Sequence, residues 1–315
     1  MKVLNKKNII TLVLILVFYA LVQGLISARV INSFYEITLA TICINIILAV
    51  SLNLVTGFTG QFSLGHAGFM SIGAYVGALI LMNTNSTIGF LAGVLAGAIA
   101  AAIVGILIGI PTLRLKGDYL AIATLGMAEI IRVIFLNMDV TNGAAGLNNI
   151  PRYSNWLWLF IFTSATLILI NNFIRSSLGR ACISIREDEI AAESMGINTT
   201  KYKVMAFAIG AFFAGIGGAL YSSYFYFIKP DLFGFMKSID ILVIVVFGGM
   251  GSITGSIIAA IIIAVVTAYL QSFAALRMIF YALLLIIIML FRPQGLLGTK
   301  EITEFFKLKK SEKVE

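Results

Sequence analysis

The sequence has 315 residues, 60% of them apolar and only 11% charged, with a mean hydropathy of +1.03. An ordinary soluble domain carries about 25% charged residues, so this chain lacks the charge to coat a water-facing surface. Soluble enzymes and disordered chains are excluded, as is nucleic-acid binding despite a net charge of +8; an integral membrane protein remains.

In chain order, Ile9–Ile26 forms a first span behind Lys2, Lys6 and Lys7. Its 18 residues, nearly all apolar, exceed the 7–15-residue core of a signal peptide, so it reads as a retained anchor. Residues 37–113 hold no Asp, Glu, Lys or Arg, enough for three spans. Residues 119–138 give another, interrupted by Glu129 and Arg132, and 153–174 and 204–228 give one each. The run 241–276 is too long for one helix and reads as two crossings, the first short, or as a re-entrant segment. A last span reaches Phe291. The fold class is therefore all-α and polytopic, with about ten transmembrane crossings and both termini cytoplasmic. This topology puts 16 Lys and Arg inside, five outside and Arg132 within the membrane. The basic excess thus encodes orientation rather than a nucleic-acid site. Three regions follow: a cytoplasmic N-terminus 1–8, a transmembrane domain 9–291 with a cytoplasmic loop 175–203, and a cytoplasmic tail 292–315. The tail segment 301–315 reads as a short interfacial helix.

Two cysteines and one histidine cannot supply a zinc site. No GxxxxGK[ST] motif is present to cradle nucleotide phosphates. Two glycine-rich breaks, 57–68 and 248–255, lie about 190 residues apart and are expected at cytoplasmic turns. Matching interruptions in two halves of a chain point to a transport pathway, which makes Gly60, Gln61, Ser63, His66, Gly248 and Gly251 candidates. Gly73/Gly77 and Gly93/Gly97 read as close helix packing. Asn45, Asn53 and Gln271 read as interhelical hydrogen bonds. Glu129 and Arg132 lie three apart, share one helix face and are expected to face the bundle. They either line a hydrated conduit or form a structural pair.

The segment 175–203 looks soluble. Ser184-Ile-Arg-Glu187 has the capping-box pattern, Glu187, Asp188 and Glu189 suit a helix N-terminus, and Gly196 suits its stop. A cytoplasmic helix is expected over 185–195, with Ala191 and Ala192 offering a shallow docking face. The polar loop 139–152 is either a connector, a gate or a contact for an outer partner.

Several blocks resemble permeases of branched-chain amino-acid ABC importers, of the LivM type. They are Gly60-Gln-Phe-Ser-Leu-Gly-His-Ala-Gly-Phe69, Gly117-Asp-Tyr-Leu-Ala-Ile-Ala-Thr-Leu-Gly126, Gly143-Ala-Ala-Gly-Leu147 and Ser177-Leu-Gly-Arg-Ala181. Arg186-Glu-Asp-Glu-Ile-Ala-Ala192, Gly248-Gly-Met-Gly251 and Phe291-Arg-Pro-Gln-Gly-Leu-Leu297 complete the set. The resemblance implies a plasma-membrane permease subunit for Leu, Ile and Val, not an enzyme, with no cofactor on this chain. It implies a second, LivH-like permease, two ATPase subunits that bind ATP and magnesium, and an extracytoplasmic solute-binding protein. It makes Arg186, Glu187, Asp188, Glu189, Ala191, Ala192, Glu193 and Gly196 the ATPase-coupling element. Ile190 stands where the general importer motif has Glu. A same-family carrier of urea or short amides, and a stand-alone secondary transporter or channel, are the alternatives.

Overall fold

The structure, a computed structural model, describes residues 17, 19–28, 31–270, 283, 286, 290 and 295–298. The described part is helical, with one isolated antiparallel bridge, Leu147 to Ile228. The helices are α1 (Ser33–Asn53), α2 (His66–Thr84), α3 (Thr87–Thr112), α4 (Asp118–Asn137) and α5 (Trp156–Arg175). They continue with α6 (Ser177–Glu187), α7 (Glu189–Ser194), α8 (Thr199–Phe225), α9 (Phe235–Gly248) and α10 (Ile253–Tyr269).

Among the described residues six helices are long and apolar enough to cross a membrane: α1 with its π-helical extension Leu54–Phe58, then α2, α3, α4, α5 and α8. Residues 37–113 supply three of them, as expected. The first half of the N-terminal span, Gln271, Arg277, most of the last span and the tail 301–315 lie outside the described residues.

The centre of the bundle is the packing of α2, α3 and α8 on one another. Apolar burial adds little to helix association in lipid, so close approach of backbones must supply it. Small residues permit that approach here. A Cβ on Gly97 would lie 2.8 Å from the Gly73 carbonyl oxygen, and one on Gly93 would lie 2.9 Å from that of Gly77. A Cβ on Gly73 would collide with the backbone of Gly215 on α8. The helix ends are fixed locally: Ser86 Oγ accepts from Gly89 N at 3.0 Å to start α3, and Ser252 Oγ accepts from Gly255 N at 3.1 Å to start α10. By contrast α4 and α5 lie at the periphery, with only 28% and 22% of their spans buried against 67% for α2 and α8.

α9 has 14 residues, about 21 Å of helix against a hydrocarbon core of about 30 Å. It starts below the bundle surface, because Gly234 at its N-cap lies beside Glu129 and Arg132 of α4. The short first helix expected within 241–276 is therefore part of a broken segment, and a glycine turn separates it from α10.

Candidate functional site

The two glycine breaks, nearly 200 residues apart in sequence, meet in space. Asn53 donates from Nδ2 to Ser252 O at 2.9 Å and to Ser256 Oγ at 2.8 Å, and its Oδ1 accepts from Gly251 N at 2.8 Å. Its amide is thus satisfied on both sides, and it pins the 248–252 turn to the end of α1. Gly57 fits this junction because a Cβ there would strike Asn53 Oδ1 and the Gly251 backbone. Leu296 docks on the same turn, its N donating to Phe247 O at 2.9 Å.

The first break is not a turn at the bundle end. Beyond Phe58 the chain leaves the helix and runs up inside the bundle. Leu64 N donates to Thr124 Oγ1 at 3.1 Å, and Thr124 lies six residues into α4, about 9 Å from its start. α2 then begins at depth, where Ser238 Oγ of α9 accepts from Ala67 N at 3.2 Å. Irregular backbone at such depth is tolerated where protein buries it or where it lines a cavity. Ser63 is buried and its Oγ accepts weakly from Gly65 N at 3.4 Å. His66 is buried and its Nε2 is hydrogen-bonded to Ser51 Oγ at 2.9 Å, a tie between α1 and α2.

The charged loop closes over the lower end of this segment. Arg186 Nη1 donates to Gly57 O at 2.9 Å, and the same guanidinium pairs with Glu187. A Cβ on Gly60 would lie 3.0 Å from Arg186 Cγ. Lys203 Nζ donates to Glu189 Oε1 at 2.6 Å, and Lys116 approaches Glu189 Oε2 at 3.9 Å. The pathway candidates Gly60 and Gln61 and the coupling candidates Arg186 to Glu189 therefore form one cluster.

Local structure in this loop departs from expectation. The capping box at Ser184 and Glu187 is absent, because α6 begins at Ser177 behind the cap of Ser176 and runs through both residues. Ser184 Oγ donates instead to Ala181 O at 2.9 Å. The break falls at Asp188, whose Oδ1 accepts from Ile190 N at 2.9 Å and Ala191 N at 3.0 Å to start α7. Gly196, at φ +84, ends the turn as expected. Ala192 is buried rather than on the docking face, whereas Ala191, Glu193 and the large apolar side chains Ile190 and Met195 are exposed.

Cys182 lies under the loop, 1% exposed, and burial pushes its thiol up to about 11 against the lowering effect of a hydrogen bond with Thr59. The raised value keeps the neutral thiol dominant well above neutral pH. Alkylation followed at the Cys182 peptide by mass spectrometry should stay slow at pH 8 and rise about tenfold per pH unit towards 11. Rapid labelling at pH 7 would contradict the burial.

Glu129 and Arg132 form the expected pair, with Nε donating to Oε2 at 2.7 Å, but a third ion joins them. Arg132 Nη1 donates to Asp231 Oδ1 at 3.1 Å, from the short 3-10 helix Pro230–Phe233 before α9. Neither side chain is enclosed: Arg132 is 26% and Glu129 37% exposed. They lie towards the opposite end of α4 from Lys116 and apart from the Gln61 cluster. Removing either partner should cost about 1–2 kcal/mol, since the pair is only half-buried. A double-mutant cycle of Glu129→Gln and Arg132→Gln, read by thermal melting, should show coupling of at least about 0.5 kcal/mol. Strict additivity would mean that the pair does not hold in the membrane protein. The loop 139–152 also packs on its own chain, with Leu147 paired to Ile228 and the Arg152 guanidinium 4.7 Å from the Tyr224 ring centroid.

A cavity of about 990 Å³ forms a mostly apolar groove among α3, α5 and α8, lined by residues such as Ile106, Phe173 and Phe212. It contains none of the predicted site residues. A smaller polar cavity of about 240 Å³ lies beside Gln61 and the charged loop.

Residues 34–289 match the family described as "Branched-chain amino acid transport system / permease component". The permease protein LivM of the high-affinity branched-chain amino acid transport system of Salmonella typhimurium is 37% identical, over 81% of this chain and 68% of that protein. LivM of Escherichia coli is 36% identical over the same shares. LivH of Salmonella typhimurium is 28% identical over 81% of this chain and 92% of its own length. Among solved structures, PsaBC from Streptococcus pneumoniae in complex with Fab matches 85% of this chain and 95% of that chain, with a TM-score of 0.45 and 14% identity. A family match that runs from α1 to beyond α10, with the LivM relatives beside it, shows that this chain belongs to the branched-chain amino acid transport system permease family.

Proposed function

We propose that the chain is a permease subunit of an ATP-binding-cassette importer that carries leucine, isoleucine and valine across the plasma membrane. Family membership and the LivM and LivH relatives support the substrate class and the transport role. The observation that carries the mechanism is the Arg186 hydrogen bond to the Gly57 carbonyl. It joins a surface loop to the unwound segment that enters the bundle. A partner that moves the loop thereby moves the segment.

In this reading the chain crosses the membrane about ten times with both termini in the cytoplasm, following the 16:5 division of basic residues. Two ATPase subunits, which hold ATP and magnesium, dock on α6 and α7. Exposed Ile190 and Met195 give that face apolar contact area beyond its charges. A second, LivH-like permease covers α4, where half-exposed ions on an apolar span would otherwise face lipid at a cost of up to about 3 kcal/mol each. A solute-binding protein delivers the amino acid to the outer face. ATP-driven closure biases the bundle between outward- and inward-open states, which requires that the ATPases bind the two states unequally.

The assembly is checked by co-purification. An ATPase subunit should remain with the tagged, detergent-solubilised chain, and Ile190→Asp with Met195→Asp should release it. Retention in the double variant would place the docking face elsewhere.

A further inference from the structure

We propose that the cavity beside Gln61 is a binding site for a small zwitterionic solute, an α-amino acid in particular, with the coupling loop as one wall. The inference rests on the amino-acid transport reading and assigns a place in the chain to the solute.

Gln61 is 2% exposed, yet among the described residues neither its amide nitrogen nor its amide oxygen has a hydrogen-bond partner. A buried amide without partners is costly and uncommon. Asn53, one turn before Gly57, has its own amide fully bonded, so the unwound segment does not leave amides unpaired in general. Gln61 lines the cavity of about 240 Å³, room for a small solute rather than one or two waters. Its amide atoms are covered as the side chain stands; a turn of that side chain into the cavity presents two donors and an acceptor, which suits a ligand carrying both a carboxylate and an ammonium.

The remaining wall has both signs of charge. Lys116, Arg186 and Lys203 face the same space as Asp188 and Glu189. A wall of one sign would select a simple ion; this one matches a dipolar solute. Lys116 is 74% exposed and reaches Glu189 only at 3.9 Å, which leaves its ammonium able to turn to a carboxylate. Among the described residues no group of three His, Cys, Asp or Glu is placed to hold a metal ion. Arg186, Asp188 and Glu189 belong to the α6–α7 loop, so loop position and solute affinity are linked, each altering the other.

The test uses the assembled permease–ATPase complex in detergent, without the solute-binding protein, and labelled leucine as the probe. The wild type should bind leucine saturably, and Gln61→Leu should weaken binding at least tenfold. The same substitution removes an unpaired amide, so the ligand-free variant should melt about 1–3 °C higher than the wild type. A residue needed only for folding would shift melting the other way. Gln61→Asn, which keeps the amide but shortens its reach, should lose less affinity than Gln61→Leu. Unchanged leucine binding in Gln61→Leu, or a lower melting temperature, overturns the site. Uptake of leucine by the reconstituted wild type is measured alongside. If uptake is present and binding absent, the site falls and the transport reading stands; if both are absent, both fall.

Discussion

Arg186→Ala should reduce leucine uptake by the reconstituted importer at least about tenfold while the ATPase subunits continue to hydrolyse ATP. The guanidinium donates to a carbonyl of the segment that enters the bundle. A hydrogen bond from a charged donor contributes about 1.5–3 kcal/mol, equivalent to roughly a ten- to hundredfold change. Arg186 also fills the space over Gly60, so its removal leaves the loop loose as well as unbonded. Arg186→Lys keeps the charge but loses the planar fork and should fall between the two. Assaying hydrolysis and uptake in the same proteoliposomes checks the split. A parallel loss of both activities would indicate that Arg186 serves ATPase docking alone; uptake within twofold of wild type would show that the contact transmits nothing.

The second large effect concerns the bundle itself. Gly73→Ala places a methyl group into the backbone of Gly215, on the helix that packs beside α2. Backbone cannot rotate away as a side chain can, so α2 and α8 must separate. The Gly97 backbone, which approaches Gly73 from α3, must follow. Overpacking of this kind costs about 1–3 kcal/mol or more, and here three helices share the strain. The expected result is a sharp drop in folded chain recovered from membranes and a lower melting temperature. Gly126→Ala is the control, because a Cβ there meets nothing within 4 Å. That change should be neutral or slightly stabilising through helix propensity. Equal effects at both positions would mean that α2, α3 and α8 do not pack as described.

Much of this architecture was legible in the residues. The absence of charge over 37–113 marked three spans, and the spacing of Gly73, Gly77, Gly93 and Gly97 marked their contact. The two glycine breaks were visible as a pair, and so was the distinct character of 175–203. Their mutual contact was not, because nothing local ties Asn53 to Gly251 or Arg186 to Gly57; these are long-range choices of the folded chain. The capping-box pattern at Ser184 misled because an N-cap requires the helix to start there. Ser176, a better-placed cap, had already started it eight residues earlier. The signal for the real second start was Asp188, an N-cap type one residue before α7. Ala192 was placed on the docking face by composition, whereas the short α7 turns it inward and leaves Ile190 and Met195 out. Sequence pattern does not bring Asp231 to the pair, because it lies in the short 3-10 helix before α9 and nothing local says which helix that turn meets. The role of Gln61 was suggested by its place beside a glycine break, but its unpaired amide could only be seen once its neighbours were in position.

The decisive measurement is uptake of labelled leucine into proteoliposomes bearing this chain with the proposed second permease and ATPases, the solute-binding protein outside. Uptake should need ATP within reach of the ATPases, be suppressed by excess isoleucine and valine, and be unchanged by urea or acetamide. Uptake that proceeds without ATP, or that urea suppresses and valine does not, would contradict the importer reading.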